Sequence, residues 1–256
     1  MHCLEETIRK KNAQGKTALI PFLTAGYPDP VTFWPTLTEL DAAGADIIEI
    51  GVPFSDPVAD GPVVEAASRE ALQNGVSLAK LLSELKERKG FFHADIVLMG
   101  YYNPFLQYGL DRLALASSQA NVKGLIVPDL PLEEAEPLRS VLAKEGIALI
   151  SLVGPNTSAE RMQAYAEVSQ GFVYVVSVMG VTGERKTLPA EVEATIRRAK
   201  TCFSLPVALG FGLHSPSQID YLPQEAKPDA AVFGSALLKS LASGGKAADF
   251  LERWTK

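Results

Sequence analysis

Short apolar runs rich in β-branched residues recur along the chain. Each is followed by a polar turn and then by a longer stretch whose apolar residues return at helical spacing. The runs predict strands at Thr17 to Thr24, Asp46 to Gly51, Ile96 to Gly100, Gly124 to Pro128, Ala148 to Leu152, Phe172 to Ser177, Val207 to Gly210 and Ala230 to Gly234. Between and after them the spacing predicts helices over Val31 to Ala43, Leu78 to Lys89, Leu132 to Glu145, Ala159 to Val168, Ala190 to Thr201 and Leu237 to Thr255. The strands are almost continuously apolar, as expected of strands covered on both faces, and strands joined through helices run parallel. Eight such units in 256 residues predict an α/β chain folded as a single (β/α)8 TIM barrel, one domain over residues 1–256. A doubly wound open sheet shares this alternation, but no GxGxxG follows the first strand and no GxxxxGK[ST] occurs. A helix from Leu4 to Asn12 precedes the first strand and is expected to cap the bottom of the barrel.

Composition removes several classes of function. A net charge of −6 without basic blocks gives no electrostatic footprint for nucleic acid or an anionic membrane. The two cysteines, Cys3 and Cys202, belong to no CxxC or Cys/His cluster, so no metal site is expected and a reducing compartment fits. The first residues lack a basic segment followed by an apolar one, and no apolar run is long enough to span a bilayer. A cytoplasmic protein acting on a small molecule or a protein partner is the expectation.

Two carboxylates stand out. In Asp46-Ile47-Ile48-Glu49-Ile50-Gly51, side chains alternate, so Glu49 shares a face with Ile47 and Gly51. Desolvation there opposes ionisation and raises the pKa. Two roles are open to it: an ion pair with a nearby Arg or Lys that holds the barrel together, or an acid/base at a strand C-terminus, where such barrels keep their catalytic groups. The next segment, Val52 to Pro62, carries three prolines and reads as a stiffened loop. Within it, Asp60 is placed either to cap the helix beginning near Pro62 or to act beside Glu49.

Glycines close three later strands: Gly180-Val181-Thr182-Gly183, Gly210-Phe211-Gly212 and Gly234-Ser235. Such residues are ordinary in turns, but barrels commonly bind phosphate after strands seven and eight, through backbone N–H groups and a helix N-terminus. A phosphorylated substrate is one expectation. A Schiff-base aldolase would need a lysine at a strand's C-terminal end, and Lys123 sits at the start of strand four. A barrel that has lost catalysis and only binds a partner is the remaining rival, and intact Glu49 and Asp60 count against it.

Long motifs then carry a resemblance. Pro21-Phe22-Leu23-Thr24-Ala25-Gly26-Tyr27-Pro28 and the run from Glu49 to Pro62 look like the tryptophan synthase α chain family, as do Met99 to Pro104, Val127 to Pro131, Gly180 to Gly183 and Gly210 to Gly212. The resemblance implies retro-aldol cleavage of indole-3-glycerol phosphate, by a lyase of tryptophan biosynthesis. Glu49 would protonate the indole ring and take the proton of the side-chain hydroxyl, and Asp60 would hold the indole N–H and balance charge on the ring. It implies Phe22, Tyr101, Asp129 and Tyr174 around the indole, and Gly183, Phe211, Gly212, Gly234 and Ser235 at the phosphate. Thr182 resembles a mobile-loop residue that reaches Asp60 on closure, here followed by the charged Glu184-Arg185-Lys186. No cofactor is implied on this chain. Pyridoxal phosphate belongs to the partner, a tryptophan synthase β chain in an α2β2 heterotetramer, which an exposed Phe54 and the rigid proline loop would dock.

Overall fold

The computed structural model describes residues 1–176, 188–210 and 212–255. Eight parallel strands close on themselves: β1 (Ala18–Thr24), β2 (Ile47–Gly51), β3 (Asp95–Met99), β4 (Val122–Ile126), β5 (Ala148–Val153), β6 (Val173–Val176), β7 (Val207–Gly210) and β8 (Ala230–Phe233). Each pairs with the next, and β8 returns to β1 through Ala18 opposite Ala230. No edge is left unpaired, and the interior and the helical layer between them cover both faces of nearly every strand.

The N-terminal helix, Cys3–Asn12, lies across the N-terminal ends of the strands, as expected of a cap. Its Thr7 hydroxyl donates to Asp95 at 2.6 Å, Lys11 pairs with Asp46 at 3.0 Å, and Asn12 donates to the Asp229 carbonyl at 2.8 Å. Leu4 and Ile8 face inward with no exposed surface. A Cβ on Gly124 would stand 2.9 Å from Leu4 Cδ1, so the bare backbone of β4 lets the plug seat. Leu4→Ala is expected to cost about 2–5 kcal/mol of stability through the cavity it leaves. Denaturant midpoints would read this, while turnover per folded molecule should stay near wild type.

Where the helices differ from the sequence reading, proline and glycine explain it. The stretch Leu132 to Glu145 divides into a 3-10 turn, Leu132–Glu134, and a helix, Glu136–Lys144. Pro137 has no N–H to give and is accommodated only in a first turn, so the helix starts afresh beside it. Leu237 to Thr255 breaks into Ser235–Ala242 and Ala247–Thr255 around Gly244, whose φ is +79°. Among the described residues three α-helices escaped the pattern: Tyr102–Tyr108 and Leu110–Gln119, because Asn103-Pro104 imitates a turn, and Ser217–Asp220, too short to show a helical period. Gly109, at φ +90°, separates the first two. Strand β4 begins two residues early because Asn121, at φ +62°, completes the turn before it.

Candidate active site

Parallel pairing sets Glu49 between Phe22 of β1 and Val97 of β3, and Val97 is in turn in register with Gly124, which faces the plug. Paired residues of adjacent strands point to one side of a sheet, so Glu49 points into the barrel. It is 1% exposed. No ion pair among the described residues includes it, and its Oε2 has no hydrogen-bond partner there. Among the described residues nothing supports the ion-pair role left open by the sequence. Burial, and then the negative charge of Asp60, push the Glu49 pKa up to about 8, so the group is mainly a protonated acid at neutral pH.

Asp60 does not cap the helix that follows. The N-cap of Pro62–Gln73 is Gly61, and the helix start is set by Pro62 in its first turn. The Asp60 carboxylate instead turns back to the barrel and accepts the Tyr101 hydroxyl at 3.1 Å. Burial raises its pKa to about 6, with the Tyr101 hydrogen bond pulling the other way. The same hydroxyl accepts the Ala59 N–H at 3.0 Å. Phe54 stacks on the Tyr101 ring, centroids 5.2 Å apart, and is half-buried, a correction to the exposed Phe54 expected from sequence. The exposed apolar side chain of this loop is Val58, at 77%.

Phe22 and Tyr174 are buried, and two strand-end glycines make room for their rings. A Cβ on Gly234 would lie 2.7 Å from the Phe22 ring, and one on Gly210 would collide with the Tyr174 hydroxyl. These glycines, read from sequence as phosphate contacts or turns, therefore have a packing reason of their own. The Tyr174 phenol is held far above its ordinary pKa by burial and by the charges of Glu49 and Asp60, which places it near both carboxylates.

Asp129 accepts the Tyr102 backbone N–H at 2.9 Å, capping the helix Tyr102–Tyr108 from a neighbouring loop and so fixing the chain beside Tyr101. Gly212, at φ +80°, follows β7, and Gly234 is the N-cap of Ser235–Ala242, with Ser235 exposed in its first turn. Sequence reasoning missed Gln218. It is 3% exposed, accepts the N–H groups of His214 and Ser215 at 2.8 and 3.1 Å, and donates to the Gly212 carbonyl at 3.3 Å. One buried amide thus shapes the loop after β7; a polar residue four places past a Gly-Leu-His turn was its only sequence signal. Thr182, Gly183, Glu184, Arg185, Lys186 and Phe211, like Ser177 of the expected sixth strand, lie outside the described residues. Among the described residues no cluster of His, Cys, Asp or Glu is arranged to hold a metal, and no helix is long and apolar enough to cross a membrane.

The site thus pairs an interior acid, with no ion-pair partner among the described residues, with a second carboxylate on the next loop, and the chain that carries it has known relatives. The sequence model of the tryptophan synthase alpha chain family matches residues 8–253. The alpha chain of Desulfovibrio desulfuricans is 65% identical over 254 residues, 99% of this chain and 100% of that protein. That of Nitratidesulfovibrio vulgaris is 57% identical over 99% of this chain and 98% of its own length. Among solved structures, tryptophan synthase of Mycobacterium tuberculosis superposes with a TM-score of 0.90 at 34% identity, covering 99% of this chain and 96% of that one. The alpha subunit from Legionella pneumophila gives 0.85 at 32%, covering 98% and 95%. With motifs, barrel and full-length similarity in agreement, the chain belongs to the tryptophan synthase alpha chain family.

Proposed function

We propose that Glu49 and Asp60 carry the reaction that this lyase performs as a tryptophan synthase alpha chain, the cleavage of indole-3-glycerol phosphate to indole and glyceraldehyde 3-phosphate. The single observation behind the assignment is Glu49: a buried carboxyl with no ion-pair partner among the described residues, poised to hold its proton at neutral pH. In the first step it gives that proton to C3 of the indole ring, leaving an indolenine-like cation. As carboxylate it then takes the proton from the hydroxyl next to C3. The carbon–carbon bond breaks, its electrons return to the ring, and the hydroxyl carbon leaves as the aldehyde. Glu49 ends protonated, ready for another cycle. Asp60, as carboxylate, accepts the indole N–H and offsets the positive charge that develops on the ring.

Phe22, Tyr101 and Tyr174 wall the indole, with Asp129 holding the Tyr101-Tyr102 segment. Gly183, Phe211, Gly212, Gly234 and Ser235 take the phosphate. The left-handed backbone at Gly212 and the first N–H groups of the helix Ser235–Ala242, which have no partner within the helix, support this. Thr182 closes over Asp60 once substrate is bound. The chain works with a β chain, and we place the two in an α2β2 heterotetramer in the cytoplasm. The β chain brings the pyridoxal phosphate, none is needed here, and the loop 53–60 with its exposed Val58 forms part of the docking face.

The pH profile tests the pair. The cycle needs Glu49 protonated and Asp60 ionised, so kcat/KM for indole release is expected to fall below about pH 6 and above about pH 8. A profile flat from pH 5 to 9 would remove the assignment.

A further inference from the structure

Among the described residues, every hydrogen bond that leaves the loop 53–60 for another element ends on one atom, the Tyr101 hydroxyl. The loop's other bonds are internal: Val58 N–H to the Asp56 carbonyl at 2.9 Å, Asp60 N–H to the Pro57 carbonyl at 3.0 Å, and the Ser55 hydroxyl to the Asp56 carboxylate at 2.6 Å. The Tyr101 oxygen accepts from Ala59 and donates to Asp60, using one lone pair and its only proton. Its ring is 2% exposed and stacked under Phe54.

We propose that Tyr101 is a positioning residue for the cleavage reaction: its hydroxyl tethers the Asp60 loop to the end of β3 and aims the Asp60 carboxylate at the indole nitrogen. This rests on the role given to Asp60 above and goes beyond a place in the indole wall, because a wall needs only the ring and a tether needs the oxygen. The donated proton also stabilises Asp60 as an anion, the form that balances charge on the indole. Asp129 serves the tether indirectly by fixing the N–H of the next residue, Tyr102.

Tyr101→Phe keeps the ring and its stack on Phe54 and removes one oxygen. Steady-state indole release from indole-3-glycerol phosphate by the full chain, with Tyr101→Phe, Asp60→Asn and the double variant, separates the readings. The expected result for Tyr101→Phe is an unchanged melting curve, KM within about two-fold, kcat lower by about ten-fold, and an acid limb of the pH profile displaced to higher pH. In the Asp60→Asn background the same change should have little further effect, since the group it positions is already lost. A Tyr101→Phe variant with wild-type kcat and profile would overturn the tether while an impaired Asp60→Asn kept the Asp60 assignment. An equal loss from Tyr101→Phe in both backgrounds would also overturn it, by showing that the hydroxyl acts without Asp60. A fully active Asp60→Asn would instead overturn the reading beneath it.

Discussion

Glu49→Gln is expected to lose about 100-fold or more in indole release, the usual contribution of a positioned acid/base, while becoming more stable than the parent at neutral pH. The amide keeps the shape of the side chain and can bind substrate, but it has no proton to give to C3 and no charge with which to take one back. The gain in stability follows from the raised pKa. Below about pH 4.5 the group is protonated in both folded and unfolded chains; between there and about 8 only the unfolded chain releases its proton, so stability drains away as pH rises through that window. By pH 7 the deficit is on the order of 3 kcal/mol. Glutamine does not titrate and escapes it, so the variant's advantage in melting temperature should widen from pH 5 to pH 8. Turnover above about a tenth of wild type would dismiss the proton shuttle. Activity and stability falling together at every pH would return Glu49 to a structural role.

Asp60→Asn is expected to lower kcat by about 10² to 10³, the scale of removing one preorganised electrostatic partner of a developing charge. Asparagine can still accept the indole N–H and the Tyr101 hydroxyl. It cannot balance a cation on the ring. Since Gly61, not Asp60, occupies the N-cap of Pro62–Gln73, no helix cap is lost; and because burial holds the folded Asp60 pKa at about 6, above the ordinary carboxylate value, the non-titrating amide should leave the melting temperature at neutral pH no lower than that of the parent. The alkaline limb of the variant's profile should also move to lower pH, because the Asp60 charge is one of the two causes holding the Glu49 proton in place. A variant with full turnover per folded molecule and reduced stability would mark Asp60 as scaffold.

The sequence carried the barrel because its strands are buried on both faces and so appear as uninterrupted apolar runs, and their order and parallel direction follow from the intervening helices. Glu49 was legible for the same reason: a carboxylate within Ile-Ile-Glu-Ile breaks a pattern that has a strong physical meaning. Asp60 was ambiguous, since Asp-Gly-Pro serves a cap as readily as a site, and the partner that decides between them, Tyr101, lies 41 residues away. Gly210 and Gly234 were legible as special but not for what reason. Only the fold shows that the rings of Tyr174 and Phe22 fill the space where their side chains would be. Gln218 was nearly silent because one glutamine in the four-residue helix Ser217–Asp220 carries no periodic signal.

The helix that plugs the barrel is made before all eight strands, yet most of its partners come late. Leu4 rests against Gly124 and Gly171, His2 reaches the Gly146 carbonyl, and Arg9 the Ser204 carbonyl. During synthesis the apolar pair Leu4 and Ile8 therefore emerges with nothing to cover it, and β1 keeps an open edge until Ala230 arrives to pair with Ala18. The last strand closes the ring that the first strand opened. A nascent chain stalled before β8 is thus a sheet with two free edges and a loose amphipathic helix, exposed to aggregation until the eighth strand closes it.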